Sequence, residues 1–115
     1  MNFEKWQHYL RARIYHLLRK EDSALEEYRR TQLAAPDFTR AIECIAFIHA
    51  SRGDFGTAAT HFRESLRIEP GNAEMQFNLG FACEKHGDLK EAIEAFQTAT
   101  RLKSNFDRSW YGLSI

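Results

Sequence analysis

A step of 34 residues runs through this chain and limits its fold more than any other feature. Ala24, Ala58 and Ala92 are spaced by it, and so are Tyr28, Phe62 and Phe96. Gly53 and Gly87, Asp54 and Asp88, and Pro36 and Pro70 keep the same step, as do Ile14, Ile48 and Ala82, and Ala12, Ala46 and Gly80. The stretch Asn72–Asn105 shows what is repeated. Met75, Leu79, Ala82 and Cys83 stand three and four apart, one stripe of a helix. Gly87 ends that helix, because a residue without Cβ takes the left-handed conformation at little cost. Asp88 follows as an N-cap, with Glu91 three residues on completing a capping-box pattern. Leu89, Ala92, Ile93, Phe96, Ala99 and Leu102 give a second stripe. Two such helices make an antiparallel hairpin, and a lone hairpin cannot bury both apolar faces. It needs copies stacked on it.

A helix–turn–helix unit of this period resembles the tetratricopeptide repeat family. The resemblance covers nearly the whole chain, read as one domain over 1–115. Its units fall at about Lys5–Phe38, Thr39–Asn72 and Ala73–Phe106, with a partial fourth over 107–115. There Trp110-Tyr111-Gly112-Leu113 looks like the family's Trp-x-x-Leu opening. The implied fold is all-α: a right-handed α-solenoid of three helix hairpins plus the first half-helix of a fourth. It says less about function, since the family is defined by what packs its helices together.

The first unit departs most from the pattern. Its turn, Lys20-Glu21-Asp22, has no glycine, and His8 and Arg11 occupy the slots of Ile42 and Ile45. Polar residues there suit a terminal repeat whose outer face meets water. Phe3, Trp6, Leu10, Ile14 and Leu17 form an apolar stripe whose register against the family pattern stays open. Ala24, Leu25, Tyr28 and Leu33 line the second helix. In the second unit Ala41, Ile42, Ile45 and Ile48 pair with Ala58, Ala59, Phe62 and Leu66, and Gly56 costs about 1 kcal/mol relative to alanine. At the far end Trp110, Tyr111, Leu113 and Ile115 begin a helix that stops after two turns. The chain is then either the N-terminal piece of a longer protein or docks this stub on another copy. Either way Trp110, Leu113 and Ile115 favour self-association, as a homodimer through the last repeat or a swap of its helix.

Composition narrows the function. A chain of 115 residues has no room for a catalytic domain beside three repeats. Sixteen basic residues balance sixteen acidic ones, so no global field draws in nucleic acid or an anionic membrane. No apolar run reaches the roughly 20 residues of a membrane span, and the polar start Met1–Trp6 is unlike a signal peptide. Two isolated cysteines do not make a disulfide framework, which together points to the cytoplasm. Cys83 reads as a small core residue and His49, in its slot one unit earlier, as a hydrogen-bonded core histidine. His8, His16 and His61 read as surface or groove residues without a partner. No nucleophile–base pair, phosphate loop or metal motif stands out, so the expectation is no catalysis, no cofactor and no metal. Cys83 and His86 share a helical face, but zinc wants about four such ligands.

The resemblance implies that the first helices of successive units line a concave wall on which an extended peptide lies. Counting from each unit's small-residue slot, that wall holds Tyr9 and Arg13, then Arg40, Glu43 and Phe47, then Phe77 and Phe81, then Arg108 and Tyr111. Trp6, His16, Glu74, Glu84 and Lys85 flank them. Large, stiff aromatics of this kind dominate binding hot spots, and the arginines suit a ligand carboxylate or an aromatic face. The competing reading is that the rings fill gaps between neighbouring helices. Chaperone-binding members of the family grip an acidic tail with lysines, asparagines and an arginine. Here Glu74 and Asn78 stand where lysine and arginine are needed, so that clamp is absent. The expected partner is an apolar or aromatic protein segment or a partner helix. The alternatives are the regulatory or targeting segment of a larger enzyme (glycosyltransferase, sulfotransferase or kinase) and an RNA-binding repeat, which zero net charge disfavours.

Overall fold

Pro36, Gly53, Pro70 and Gly87 punctuate the middle of the sequence at half-unit steps, and helices form between these marks. The computed structural model describes residues 3–112, with side chains through residue 103. It contains α1 (Phe3–Leu17), α2 (Glu21–Ala34), α3 (Thr39–Ser51), α4 (Phe55–Ile68), α5 (Ala73–His86) and α6 (Leu89–Gly112). The helices pair as α1–α2, α3–α4 and α5–α6, and α2 packs on α3 as α4 does on α5. The result is a right-handed stack of antiparallel hairpins, about 46 × 37 × 23 Å.

The turns inside the hairpins share one geometry. Gly53 and Gly87 take the left-handed conformation at φ 80° and 97°, and Arg19, one step earlier, takes it at φ 61°. The next residue in each case donates its N–H to the carbonyl five positions back: Lys20 to Tyr15, Asp54 to His49, Asp88 to Cys83. The first turn therefore lacks the glycine but keeps its backbone shape. Between units Asn72 caps α5 by accepting from the Met75 amide at 3.2 Å. At α6 the Asp88 side chain accepts the Glu91 amide at 3.4 Å. The Glu91 carboxylate does not close a capping box; it pairs with Arg63 of α4, both oxygens 2.6 Å from guanidinium nitrogens.

The core forms two clusters. One joins Ala12, Ala24, Leu25 and Tyr28 to Ala41, Ile45 and Ile48. The other joins Ala46, Ala58, Ala59, Phe62 and Leu66 to Met75, Leu79, Ala82, Cys83, Ala92 and Ala95. Ala12, Ala46 and Gly80 let each first helix approach its partner closely. At Gly80 an added Cβ would lie 2.7 Å from the Phe96 ring.

Several apolar stripes do not pack as the periodicity predicts. Phe3, Trp6, Leu10, Ile14 and Leu17 are all exposed, and the buried residue of α1 is Ala12. The family register wins in α1: Ala12, in the small-residue slot of Ala46 and Gly80, is the residue of this helix that joins the core with Ala24 and Tyr28. Leu33, Leu89 and Ile93 are exposed as well. His8 is not on an outer, wetted face: its Nδ1 lies 2.7 Å from Oε2 of the buried Glu27. His16 Nδ1 lies 3.2 Å from the Tyr28 hydroxyl. His61 is half-buried against His49.

Residues 107–112, expected to open a fourth unit, continue α6 without a break. The physical reason is in the sequence: Ser104 stands where Pro36 and Pro70 close the earlier second helices.

Candidate peptide-binding face

Each hairpin carries one large ring in the slot of Tyr28, Phe62 and Phe96. The first helix contributes two positions to the candidate face, 19 and 15 residues upstream of that ring. These are Tyr9 and Arg13, then Glu43 and Phe47, then Phe77 and Phe81. Tyr9 lies 6.2 Å from Tyr28 between ring centroids, Phe47 lies 5.4 Å from Phe62 and Phe77 lies 5.4 Å from Phe96. Phe81 meets Phe55 of α4 edge-on at 6.0 Å, and the Lys85 ammonium lies 5.5 Å from the Phe81 centroid. Phe47, Phe77 and Phe81 nonetheless stay 41, 57 and 43% exposed. Edge-to-face contact restrains a ring by about 0.5–1.5 kcal/mol without hiding it.

The polar members divide into two environments. Tyr28 is fully buried, and burial, then Cys44, push its hydroxyl above the ordinary range, so it stays neutral. Tyr28 is also the chief influence holding the Arg13 guanidinium above its ordinary value, with a hydrogen bond between them. Part of Arg13 is thus committed inward. On α3, burial pushes the Glu43 carboxyl up, against a hydrogen bond from Ser65 Oγ at 3.0 Å; Glu69 and Glu74 push it up further and Arg40 opposes them. Thr39 Oγ1 donates to Glu69 at 2.6 Å. The middle of the face is therefore acidic, with Arg40 at its edge.

Tyr9 is half-buried under Trp6 and Phe38, at 6.0 and 5.0 Å. It fills space, as the competing reading has it, while Phe47, Phe77 and Phe81 lie open. The side chains of Arg108, Trp110 and Tyr111, and all of Leu113 and Ile115, lie outside the described residues. Beyond the expected residues, a cavity of about 590 Å³ opens between α5 and α6, lined by Ala73, Glu74, Phe77, Ala99, Thr100 and Lys103. The 34-residue step marks its lining from α5.

Among the described residues no group of three or more His, Cys, Asp or Glu stands close enough to hold a metal ion. None of their helices is long and apolar enough to cross a membrane. The Cys83 thiol is pushed up by burial and then by Glu91, which keeps it protonated and unreactive.

Stacked hairpins of one period with a ringed inner face define a helical-repeat protein, and known proteins say which kind. The profile of the tetratricopeptide repeat family matches residues 48–105, and the chain belongs to that family. It is 29% identical over 72 residues to a peroxisomal targeting signal receptor of Saccharomyces cerevisiae, a match covering 63% of this chain and 12% of the receptor. The crystal structure of MamA superposes with a TM-score of 0.86 at 17% identity, covering 94% of this chain and 63% of that one. The first TPR of Spaghetti (RPAP3), bound to the HSP90 peptide SRMEEVD, superposes with a TM-score of 0.81 at 16% identity, covering 91% and 83%. The chain thus spans about an eighth of the receptor it matches.

Proposed function

We propose that this chain is a non-catalytic interaction module that binds a protein segment, a peptide or a partner helix, across Phe47, Phe77 and Phe81. One observation carries the reading: three phenylalanines on first helices each rest edge-on against another ring and still present 41–57% of their surface to solvent. Holding large apolar rings in water has no structural purpose of its own, and rigid aromatics lose little entropy on binding. The RPAP3 domain binds an acidic peptide. In this chain Glu43, Glu69 and Glu74 make the same face unsuited to such a tail. Affinity therefore comes mainly from aromatic burial and depends weakly on salt. In a pull-down with the intact chain, the Phe47→Ala/Phe81→Ala double variant loses the partner while its helical circular dichroism is unchanged. Undiminished capture by that variant removes the groove assignment.

A second reading concerns α6. Leu89 and Ile93 are exposed one turn apart on its outer face, where Phe55 and Ala59, one step earlier, meet the next hairpin. We propose that this face pairs with a second copy. Sedimentation should show a mass that rises with concentration, and Ile93→Asp should return it to that of a monomer; a mass independent of concentration removes this reading.

A further inference from the structure

Two arginines on second helices share one slot of the repeat and meet different surroundings. Arg63 of α4 is clamped by Glu91, both carboxylate oxygens 2.6 Å from guanidinium nitrogens. Glu91 is the third residue after Asp88, the cap of α6. One step back, Arg63 becomes Arg29 of α2 and Glu91 becomes Thr57, the third residue after Asp54, the cap of α4. Thr57 carries no charge, and among the described residues Arg29 has no carboxylate partner. The joint between α2 and α4 thus repeats an arginine–carboxylate site with the acid left out.

A cavity of about 520 Å³ adjoins this arginine, lined by Arg29, Gln32, Leu33, Pro36, Ile45 and His61. It belongs mainly to second helices, whereas Phe47, Phe77 and Phe81 stand on first helices. Leu33, Pro36 and Ile45 give it apolar walls, and Leu33 is 83% exposed. The Nδ1 atom of His61 is buried without a hydrogen-bond partner, an arrangement that folded proteins seldom keep. Glu64 Oε2 lies 3.9 Å from that nitrogen, while its other oxygen accepts from Gln32 Nε2 at 2.9 Å. Glu64 disfavours a second negative charge at the His61 end, so Arg29 is the place for one. At His61 an N–H donor fits, since both Nδ1 and Glu64 can accept.

We propose that this cavity is a second binding site, which takes a glutamate of a protein segment on Arg29. An apolar neighbour of that glutamate lies against Leu33, Pro36 and Ile45, and a backbone N–H of the segment meets His61. The pair between Arg63 and Glu91 is the precedent for the acid within the chain itself. The site is independent of the face formed by the three phenylalanines.

The test is titration of the 15N-labelled intact chain with blocked dipeptides, read at the amides of Leu33, Thr57 and His61. Acetyl-Glu-Leu-amide gives shifts that saturate. Acetyl-Gln-Leu-amide binds about two- to fivefold more weakly, the size of one exposed charge pair. Acetyl-Glu-Ser-amide binds at least about tenfold more weakly, the size of one lost leucine contact. Thr57→Glu puts a carboxylate where the third hairpin has Glu91, so this variant keeps its helicity and no longer prefers Glu-Leu over Gln-Leu. Arg29→Gln loses the same preference. Equal binding of Glu-Leu and Gln-Leu to the unaltered chain, a preference that survives Thr57→Glu, or shifts that do not saturate overturn the proposal. So does a response lost in Phe47→Ala/Phe81→Ala, which would put the dipeptide on the first helices. A response kept in that variant supports the second site, whether or not the variant still captures the partner of the phenylalanine face.

Discussion

His61 of α4 lies flat on His49 of α3, ring planes 6° apart and centroids 5.7 Å apart. Burial, and then His49, hold His61 below its ordinary value of 6.5; Glu64 opposes and Arg29 adds to the shift. The folded state therefore favours the neutral ring, and the unfolded chain binds a proton first as pH falls. The stability that the neutral His61 ring contributes is present above about pH 6.5 and is lost as pH drops below it, until the folded value is passed. The thermal midpoint should fall between pH 7.5 and 5.5, and His61→Phe should flatten that dependence. An identical slope in His61→Phe would assign the effect elsewhere.

Arg19 adopts the left-handed conformation at φ 61°, in the slot that Gly53 and Gly87 fill. A residue with Cβ is strained there by about 1–2 kcal/mol, and glycine in the unfolded chain gives part of that back. Arg19→Gly should therefore raise stability by about 1 kcal/mol, read as a higher urea midpoint at constant slope. Because Arg19 is exposed, a loss of stability would mean that its side chain holds the turn.

The stack was legible because its cause is periodic. Ala12, Ala46 and Gly80 mark helix crossings, and Gly53 and Gly87 mark turns, so spacing alone orders the six helices. What spacing did not reveal is which apolar stripe loses. Phe3, Leu10, Ile14 and Leu17 form a good helical stripe, yet they face out because α1 meets the core through Ala12 on another face. Ser104 in place of a proline was visible, but its consequence, an unbroken α6, depends on no competing stop signal downstream. On the candidate face, positions followed from the step, whereas the partial burial of Tyr9 depends on Phe38, whose ring lies 5.0 Å from it.

The 34-residue step carries His8 and Glu27 to Ile42 and His61 and then to Gln76 and Ala95, so this polar pair between α1 and α2 belongs to the first hairpin alone. Glu27 is buried, with one oxygen 2.7 Å from His8 Nδ1 and the other 2.9 Å from Arg30. His8→Leu leaves one carboxyl oxygen without its protein partner, a loss of about 1–3 kcal/mol. The double variant His8→Leu/Glu27→Leu should recover most of it, since removing both partners avoids the desolvation cost. Urea unfolding of the two singles and the double closes a cycle whose coupling should be about 0.5–3 kcal/mol. Strict additivity would show that the two side chains do not act together.

Gly80 ties the packing of the third hairpin to the candidate face. A methyl group at this position would sit 2.7–2.8 Å from two atoms of the Phe96 ring, and that ring is the edge-on support of Phe77. In the same slot Ala12 and Ala46 carry a methyl group and are fully buried, so the first two hairpins leave that space and the third does not. Alanine is the better helix former by about 1 kcal/mol, while overpacking costs about 1–3 kcal/mol. The second effect wins unless Phe96, only half-buried, can swing aside. Gly80→Ala should therefore lower the urea midpoint, and Phe96→Leu in the same chain should restore it by freeing the space. If Gly80→Ala instead stabilises the protein, Phe96 moves freely, and Phe77 then has no fixed support from which to receive a ligand.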